Sequence, residues 1–203
     1  MKEYAHPAFN GIMRRKTLLK SKKFSVGKVL DVGCSDGAFL SIYPDSEGID
    51  IDKNILKKAE KWGKVKYASV ENLPYTDKSF DTIVCNGVLE QTSNMEKALT
   101  ELARVAKKRI IASFPLKPKK GYGKYLTKIP SITGFKIIHK SYLSSTFRLK
   151  YNGKNFNNEE HIELVMKKNW FKIARLLFPI LSILFLLYAY IKKDNPFLVY
   201  ERV

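Results

Sequence analysis

A short apolar run rich in β-branched residues leads into a turn of small residues near the start of the chain. The residues are Val29-Leu30-Asp31-Val32-Gly33-Cys34-Ser35-Asp36-Gly37. Glycine in such a turn lets the backbone approach a ligand that a Cβ atom would exclude, and the N-terminus of a following helix offers free N–H groups to a carboxylate. Asp31 lies directly before the turn, where it is placed to hold an ammonium group. The pattern indicates a site for the amino-acid part of a cofactor.

A second acidic group follows about twenty residues later, in Glu47-Gly48-Ile49-Asp50-Ile51-Asp52. An acidic side chain at the end of the next strand accepts hydrogen bonds from both hydroxyls of a ribose. We assign this role to Asp50. Two further pieces come later, namely Ser69-Val70-Glu71-Asn72-Leu73-Pro74 with the run 79–84, and Leu89-Glu90-Gln91 leading into 98–104.

The elements that must position these residues alternate along the chain. Strand-like apolar runs occupy 27–32, 65–70, 80–85 and 109–114, and helix-like stretches occupy 37–43, 53–62 and 94–107. Alternation of this kind predicts an α/β fold with a parallel sheet covered by helices on both faces. Upstream, 9–20 is predicted as an amphipathic helix that packs Ile12, Met13, Leu18 and Leu19. Downstream, we predict a helix at 158–168, a strand at 170–174 and a last strand at 195–203.

In this order and spacing, the four pieces resemble the class I S-adenosylmethionine-dependent methyltransferases, in particular the ubiquinone/menaquinone-biosynthesis group and other small-molecule enzymes. The resemblance covers roughly 27–115, and more weakly 159–203. It implies a Rossmann-like, mostly parallel seven-stranded sheet with an antiparallel last strand, and S-adenosylmethionine as the cofactor. The donor-binding residues that it implies are Asp31, Gly33, Cys34, Ser35 and Gly37 for the methionine part, Asp50 and Ile51 for the ribose side, Ser69 and Val70 for adenine, and Asn86 facing the methionine or the acceptor.

Three positions depart from the family pattern. Ser35 replaces the second glycine of the turn, where a serine tolerates the required backbone angle less well. Ser69 replaces the usual Asp near adenine, and Gln91 replaces the His that many relatives carry after the Leu-Glu pair. A nicotinamide-binding turn is the competing interpretation, but that turn needs three glycines, and Gly33 is the only one in place.

Composition favours a single domain of 203 residues. We divide it into an N-terminal helical segment (1–26), a donor-binding core (27–116), a basic substrate-side insertion (117–158) and a C-terminal part (159–203) with an apolar helix at 176–191. Two cysteines without metal-ligand spacing predict neither a disulfide framework nor a metal site. They favour the cytoplasm, as does the lack of an apolar signal segment in 1–23.

The sequence does not identify the acceptor substrate. The net charge is +18, and the segment 117–158 holds ten Lys/Arg and no Asp/Glu, which favours phosphate-rich partners. The stretch 176–191 would span about 24 Å as a helix, short of the ~30 Å bilayer core. Its basic flanks are typical of a helix lying on an anionic membrane surface, which favours peripheral association and a small-molecule or lipid-like acceptor.

Three alternatives remain. The apolar helix packs on the sheet or on a second subunit, the chain methylates RNA, or it binds the donor as an inactive regulatory or membrane-adaptor protein. Against the nucleic-acid alternative, the fourth strand ends in Cys85-Asn86-Gly87-Val88, without the motif of base-methylating enzymes. The sequence assigns neither a catalytic residue nor an oligomeric state. His139, Tyr122, Tyr125 and His161 are candidates for a general base on chemistry alone.

Overall fold

The computed structural model of the chain describes residues 7–116, 128–142, 150–151, 154–155 and 196–203. The chain divides into two compact units, of which the first comprises Met1–Lys16 and Tyr142–Asp194 and the second comprises Thr17–Ser141 and Asn195–Val203. The second unit contains most of the described residues, whereas residues 7–16, Tyr142 and residues 150–151 and 154–155 belong to the first.

The described residues form nine strands. They are β1 (Val29–Val32), β2 (Ser46–Asp50), β3 (Lys64–Tyr67), β4 (Phe80–Asn86), β5 (Ala106–Ser113), β6 (Phe135–Tyr142), β7 (Lys150–Tyr151), β8 (Lys154–Asn155) and β9 (Pro196–Arg202). Seven of them form one sheet in the order β3-β2-β1-β4-β5-β9-β6, and β7 and β8 form an antiparallel hairpin in the first unit.

The main sheet is parallel from β3 through β5, and β9 runs antiparallel to β5. This is the predicted seven-stranded mixed sheet with an antiparallel last strand. Its central strands are buried on both faces, as β1 shows with four buried residues out of four, because helices cover both faces of a parallel sheet. Each large apolar side chain buried here contributes about 1.5–3 kcal/mol.

The helices are α1 (Pro7–Phe24), α2 (Lys53–Ala59) and α3 (Met95–Val105), and single 3₁₀ turns occupy Leu40–Ile42, Glu60–Trp62 and Leu89–Gln91. The side chain of Asp52 caps α2 by accepting hydrogen bonds from the N–H groups of Asn54 and Ile55. Asn94 caps α3 through the N–H of Lys97. Helix α3 buries Ala98, Leu102 and Val105, the helically spaced face that its sequence predicts.

The predicted helix at 37–43 is wrong, because only Leu40–Ile42 forms a 3₁₀ turn. Gly37 takes φ +81°, which no right-handed helix accommodates. Tyr43 precedes Pro44 and leaves the helical region, with φ −135° and ψ 82°. The turn after β1 therefore has no helix N-terminus to offer to a carboxylate, and that part of the sequence argument is also wrong.

Helix α1 is longer than the predicted 9–20, and its inward face differs from the predicted one. Leu19 is 49% exposed, whereas Ser21 is fully buried. The side chains of Ile12 and Met13 lie outside the described ones. In the basic segment predicted as an insertion, Phe135–Tyr142 is β6, an edge strand of the sheet.

Three predictions fall on residues outside the described ones, namely the helix at 158–168, the strand at 170–174 and the apolar helix at 176–191. Among the helices that are described, none combines the length and the apolar character needed to cross a membrane.

Candidate cofactor-binding site

The carboxyl ends of β2, β1 and β4 lie side by side, since these strands are neighbours in the sheet. Val32 at the end of β1 is in register with Ile49 of β2 and Cys85 of β4. The chain then turns over the edge of the sheet, where the N–H groups of Gly33 and Cys34 both donate to the carbonyl of Ile49, at 2.8 and 2.9 Å. The turn after β1 and the acid that ends β2 therefore meet at one edge, as the sequence predicts.

The Asp50 carboxylate accepts hydrogen bonds from backbone N–H groups of the turn and of its own segment. Its Oδ2 accepts from the N–H of Ser35 at 2.9 Å, and its Oδ1 accepts from the N–H of Asp52 at 3.0 Å. A carboxylate offers about four lone-pair positions, so each oxygen keeps capacity for one further donor. Two adjacent hydroxyls match that remaining capacity. Ile51, the next residue, exposes 68% of its surface and offers an apolar face beside the carboxylate.

Ser35 adopts the left-handed conformation, with φ +52°. Glycine takes this backbone angle freely, whereas a serine there costs about 1–2 kcal/mol of backbone strain. In this conformation the Ser35 N–H donates to Asp50.

The two flanking glycines make room for protein neighbours. A Cβ atom on Gly33, which has φ +73°, would lie 2.3 Å from Cγ2 of Val88. A Cβ atom on Gly37 would lie 2.9 Å from the Trp62 ring and 3.0 Å from Ala59. Gly33 thus lets the segment after β4 pack against the turn, and Gly37 lets the end of α2 and the 3₁₀ turn after it approach from the other side.

Asp31 and Cys34 are both buried, at 5% and 3% exposure. The Cys34 sulfur packs on Gly48 in a small apolar cluster with Leu40 and Leu56. Burial, and to a smaller extent the carboxylates of Asp31 and Asp50, raises the pKa of the Cys34 thiol to about 12. Cys34 is thus a neutral packing residue of the turn.

The predicted adenine side lies after β3. Ser69 and Val70 fall just past its end, and Ser69 forms an isolated bridge with Asn72. The Ser69 hydroxyl accepts from the N–H of Glu71 at 3.2 Å, and Val70 is 7% exposed and packs into the main core. The Glu71 carboxylate accepts from the N–H groups of Ser93 and Asn94 at 2.7 and 3.1 Å, a structural link to the start of α3.

Asn86, at the end of β4, joins three elements. Its Nδ2 donates to the Ser21 hydroxyl of α1 at 3.0 Å, and its Oδ1 accepts from the Ser113 hydroxyl of β5 at 2.8 Å. Gln91, which stands where many relatives carry His, donates from Nε2 to the carbonyl of Gly87 at 2.6 Å. Both side chains brace this edge of the sheet.

Glu90 is a feature for which the sequence analysis gave no role. It is 8% exposed, and burial raises the pKa of its carboxyl to about 7. The sequence shows that Glu90 follows Leu89 in the segment after the buried strand β4. It does not show that the Glu90 side chain is buried.

Of the general-base candidates, His139 lies among the described side chains, whereas Tyr122, Tyr125 and His161 lie outside them. The His139 ring packs against Phe24 with ring centroids 4.5 Å apart, and its Nε2 is 3.3 Å from the Ser141 hydroxyl. Burial, together with the charges of Lys20 and Lys23, lowers the pKa of His139.

Comparison with known proteins finds a matching family and several relatives. Residues 30–112 match a family described as a methyltransferase domain. Two relatives are the protein MJ0638 of Methanocaldococcus jannaschii, 36% identical with 59% of this chain and 53% of that protein aligned, and the ubiquinone/menaquinone biosynthesis C-methyltransferase UbiE of Campylobacter jejuni, 29% identical with 72% and 71% aligned.

Among solved structures, YcgJ of Bacillus subtilis shares the fold with a TM-score of 0.56 at 17% identity, covering 93% of this chain and 98% of that one. The chain spans about half or less of the length of the M. jannaschii relatives that it matches, 40% of MJ1123 and 53% of MJ0638.

Proposed function

We propose that the chain, whose residues 30–112 match a methyltransferase-domain family, is a class I S-adenosylmethionine-dependent methyltransferase that transfers the methyl group of this donor to a small-molecule acceptor. One observation carries the proposal: the Asp50 carboxylate is fixed against the turn after β1 by the Ser35 N–H at 2.9 Å, with the exposed face of Ile51 beside it. The residues present fit the ribose and adenine of the donor.

The donor, when bound, supplies a methyl group on a sulfonium that already carries its leaving group. The protein therefore has to align the two reactants and exclude water. Asp50 binds the ribose hydroxyls, and the exposed side chain of Ile51 contacts the nucleoside beside the ribose. Gly33 brings the turn and the Val88 segment together around the methionine end. Asn86 holds α1 over this edge through Ser21.

The acceptor site that we propose lies on the other half of the same edge. The N–H of Val203 donates to the carbonyl of Gly134 at 3.0 Å, so β9 ends where β6 begins. Phe197, at the start of β9, is in register with Ser113 at the end of β5. The last residues of β6 therefore lie at the carboxyl edge, where ligands bind in open α/β sheets.

An aromatic and basic cluster occupies this half, and we name it the acceptor cluster: Phe24, Lys20, His139, Ser141 and Phe197. Lys20 donates to the Ser141 hydroxyl and lies 5.0 Å from the centre of the Phe197 ring. His139, with its lowered pKa, is neutral near pH 7 and able to accept a proton. A small acceptor with an acidic hydroxyl suits these neighbours. The relative UbiE is named a ubiquinone/menaquinone biosynthesis C-methyltransferase, which favours a small-molecule acceptor.

The donor assignment is tested by calorimetric titration with S-adenosylhomocysteine. We expect the Asp50→Ala variant to lose about tenfold to hundredfold in affinity, the value of one or two hydrogen bonds to a charged group. Asp52→Ala is the matched control, since it removes the neighbouring carboxylate that caps α2. Its affinity should stay within about threefold of the parent. Absence of binding by the parent, or equal affinity of parent and Asp50→Ala, contradicts the proposal.

The acceptor class is tested separately. Flotation with vesicles containing anionic lipid and filter binding with RNA address the membrane and nucleic-acid alternatives. If the acceptor is a small molecule, neither the anionic vesicles nor the RNA should compete with methyl transfer. Tight RNA binding that is lost in the presence of the acceptor would assign the basic segment to nucleic acid instead.

A further inference from the structure

Glu90 presents a buried carboxyl group without a full set of hydrogen bonds. It lies in the 3₁₀ turn Leu89–Gln91, directly after β4, and is 8% exposed. Its Oε2 has no hydrogen-bond partner among the residues that the structure describes. An unsatisfied buried oxygen costs free energy, and the fold gains no ion pair from Glu90 among the described residues. Such a cost is typical of a group kept for function.

The carboxyl of Glu90 lies beside the predicted methionine end of the donor site. Val88, two residues earlier, packs into the space left by the missing side chain of Gly33. The Cβ position of Gly87 is 3.6 Å from Glu90 Oε1. Burial and then the field of the Glu90 carboxylate raise the pKa of the Cys85 thiol in β4, which is consistent with a position of Glu90 near the end of that strand.

Among the described residues, no charged side chain compensates the buried carboxyl of Glu90. Burial raises the pKa of Glu90 to about 7, while its own backbone N–H lowers it, and no charged side chain of the described residues contributes. The carboxyl is therefore ready to ionise when a cation enters the site.

The donor carries two cations at its methionine end, a sulfonium and an ammonium. We propose that Glu90 is the counter-charge for this end of the donor, and that donor binding expels a proton from its carboxyl group to the solvent. In this step the carboxyl O–H bond breaks, the proton passes to buffer, and the carboxylate remains against the cation. The inference rests on the proposed donor binding.

Proton release makes the donor affinity depend on pH in a defined way. Below pH 7 the site must lose a proton to bind, so the association constant falls by up to tenfold per pH unit. Between pH 7.0 and 5.5 the expected loss is about 15-fold. The donor's own amino group stays largely protonated in this range, so it adds little to the slope.

The test is calorimetric titration of the full chain with S-adenosylmethionine between pH 5.5 and 7.0, in two buffers of different ionisation heat. The parent should release about 0.9 proton per donor at pH 6 and about half a proton at pH 7. The Glu90→Gln variant should release none, and its affinity should vary less than about threefold over the range. Because only the parent loses affinity as pH falls, the ratio of the two affinities should shrink by about 15-fold between pH 7.0 and 5.5.

Glu71→Gln is the matched control. Glu71 is a second carboxylate in this region, and it accepts hydrogen bonds from the N–H groups of Ser93 and Asn94. The Glu71→Gln variant should keep the pH dependence of the parent. Donor binding by the parent without proton release, or a Glu90→Gln variant with the parent's pH dependence, overturns the inference and leaves the proposed function standing. Absence of any donor binding by the parent overturns both. The proton count of the parent decides the matter even if Glu90→Gln does not fold.

Discussion

Adding one methyl group at Gly33 tests the packing of the turn after β1 against the segment after β4. Gly33→Ala places a Cβ atom 2.3 Å from Cγ2 of Val88, at a backbone φ of +73°. Normal contact between two carbons requires about 3.5–4.0 Å, so Val88 or the turn must move by more than an ångström. Overpacking of this kind costs about 1–3 kcal/mol, and the left-handed conformation adds about 1–2 kcal/mol for any residue with a Cβ.

Gly87→Ala provides the matched control. Gly87 has φ +70°, close to that of Gly33, but the nearest atom to its Cβ position is Glu90 Oε1 at 3.6 Å, an ordinary contact. It therefore carries the backbone strain without the clash. Both substitutions also lower the entropy of the unfolded chain, which returns about 0.4–1 kcal/mol. The net destabilisation expected is about 2–4 kcal/mol for Gly33→Ala and about 1 kcal/mol or less for Gly87→Ala.

Urea unfolding followed by circular dichroism measures both values, with equal slopes required for the comparison. S-adenosylhomocysteine titration of the same variants then shows whether the displaced turn still binds the donor, and Gly33→Ala should bind more weakly than Gly87→Ala. Equal unfolding free energies for the two variants would refute the reasoning, since backbone strain alone would then account for both.

Three other predictions concern titration and reactivity. Because the folded pKa of Glu90 is raised to about 7 from 4.5, its own contribution to stability is largest below pH 4.5 and falls by on the order of 3 kcal/mol as pH rises to 7; the difference in urea unfolding free energy between the parent and Glu90→Gln should change with pH by that amount, and a constant difference would contradict the raised pKa. NMR titration should find His139 below its usual pKa, and Lys20→Met should raise it by removing a nearby cation; an unchanged value would contradict that cause. Cys34 and Cys85, both buried, should resist a thiol reagent at pH 8 and react on unfolding; rapid labelling of the folded chain would contradict their burial.

Local patterns in the sequence predict where Asp31 and Asp50 lie in the fold. The residues around Asp31 and Asp50 fall on consecutive parallel strands, and the carboxyl ends of such strands meet at one edge. The resemblance places Ser35 in a turn shaped for glycine, and the structure shows that it takes the glycine conformation with φ +52°. These features depend on short stretches of chain, which is why the sequence reveals them.

Features that depend on distant contacts are less visible in the sequence. The helix predicted at 37–43 does not form because Gly37 takes φ +81°, in a position where Trp62 and Ala59 leave no room for a Cβ atom. Strand β6 has a mixed burial pattern as an edge strand, so its sequence lacks a strong period of two. The burial of Glu90 results from tertiary packing after β4, which no local pattern records.

The position of β9 has a consequence for the order of folding. This strand separates β5 from β6 in the sheet, and its pairing joins Arg109 to Glu201 across more than ninety positions. Closing so long a loop is slow, whereas the strands from β1 to β5 pair over much shorter separations. We expect a five-stranded parallel intermediate to form first, with a bare β5 edge that attracts other chains. Insertion of β9 would then be the late step that protects the nascent protein from aggregation.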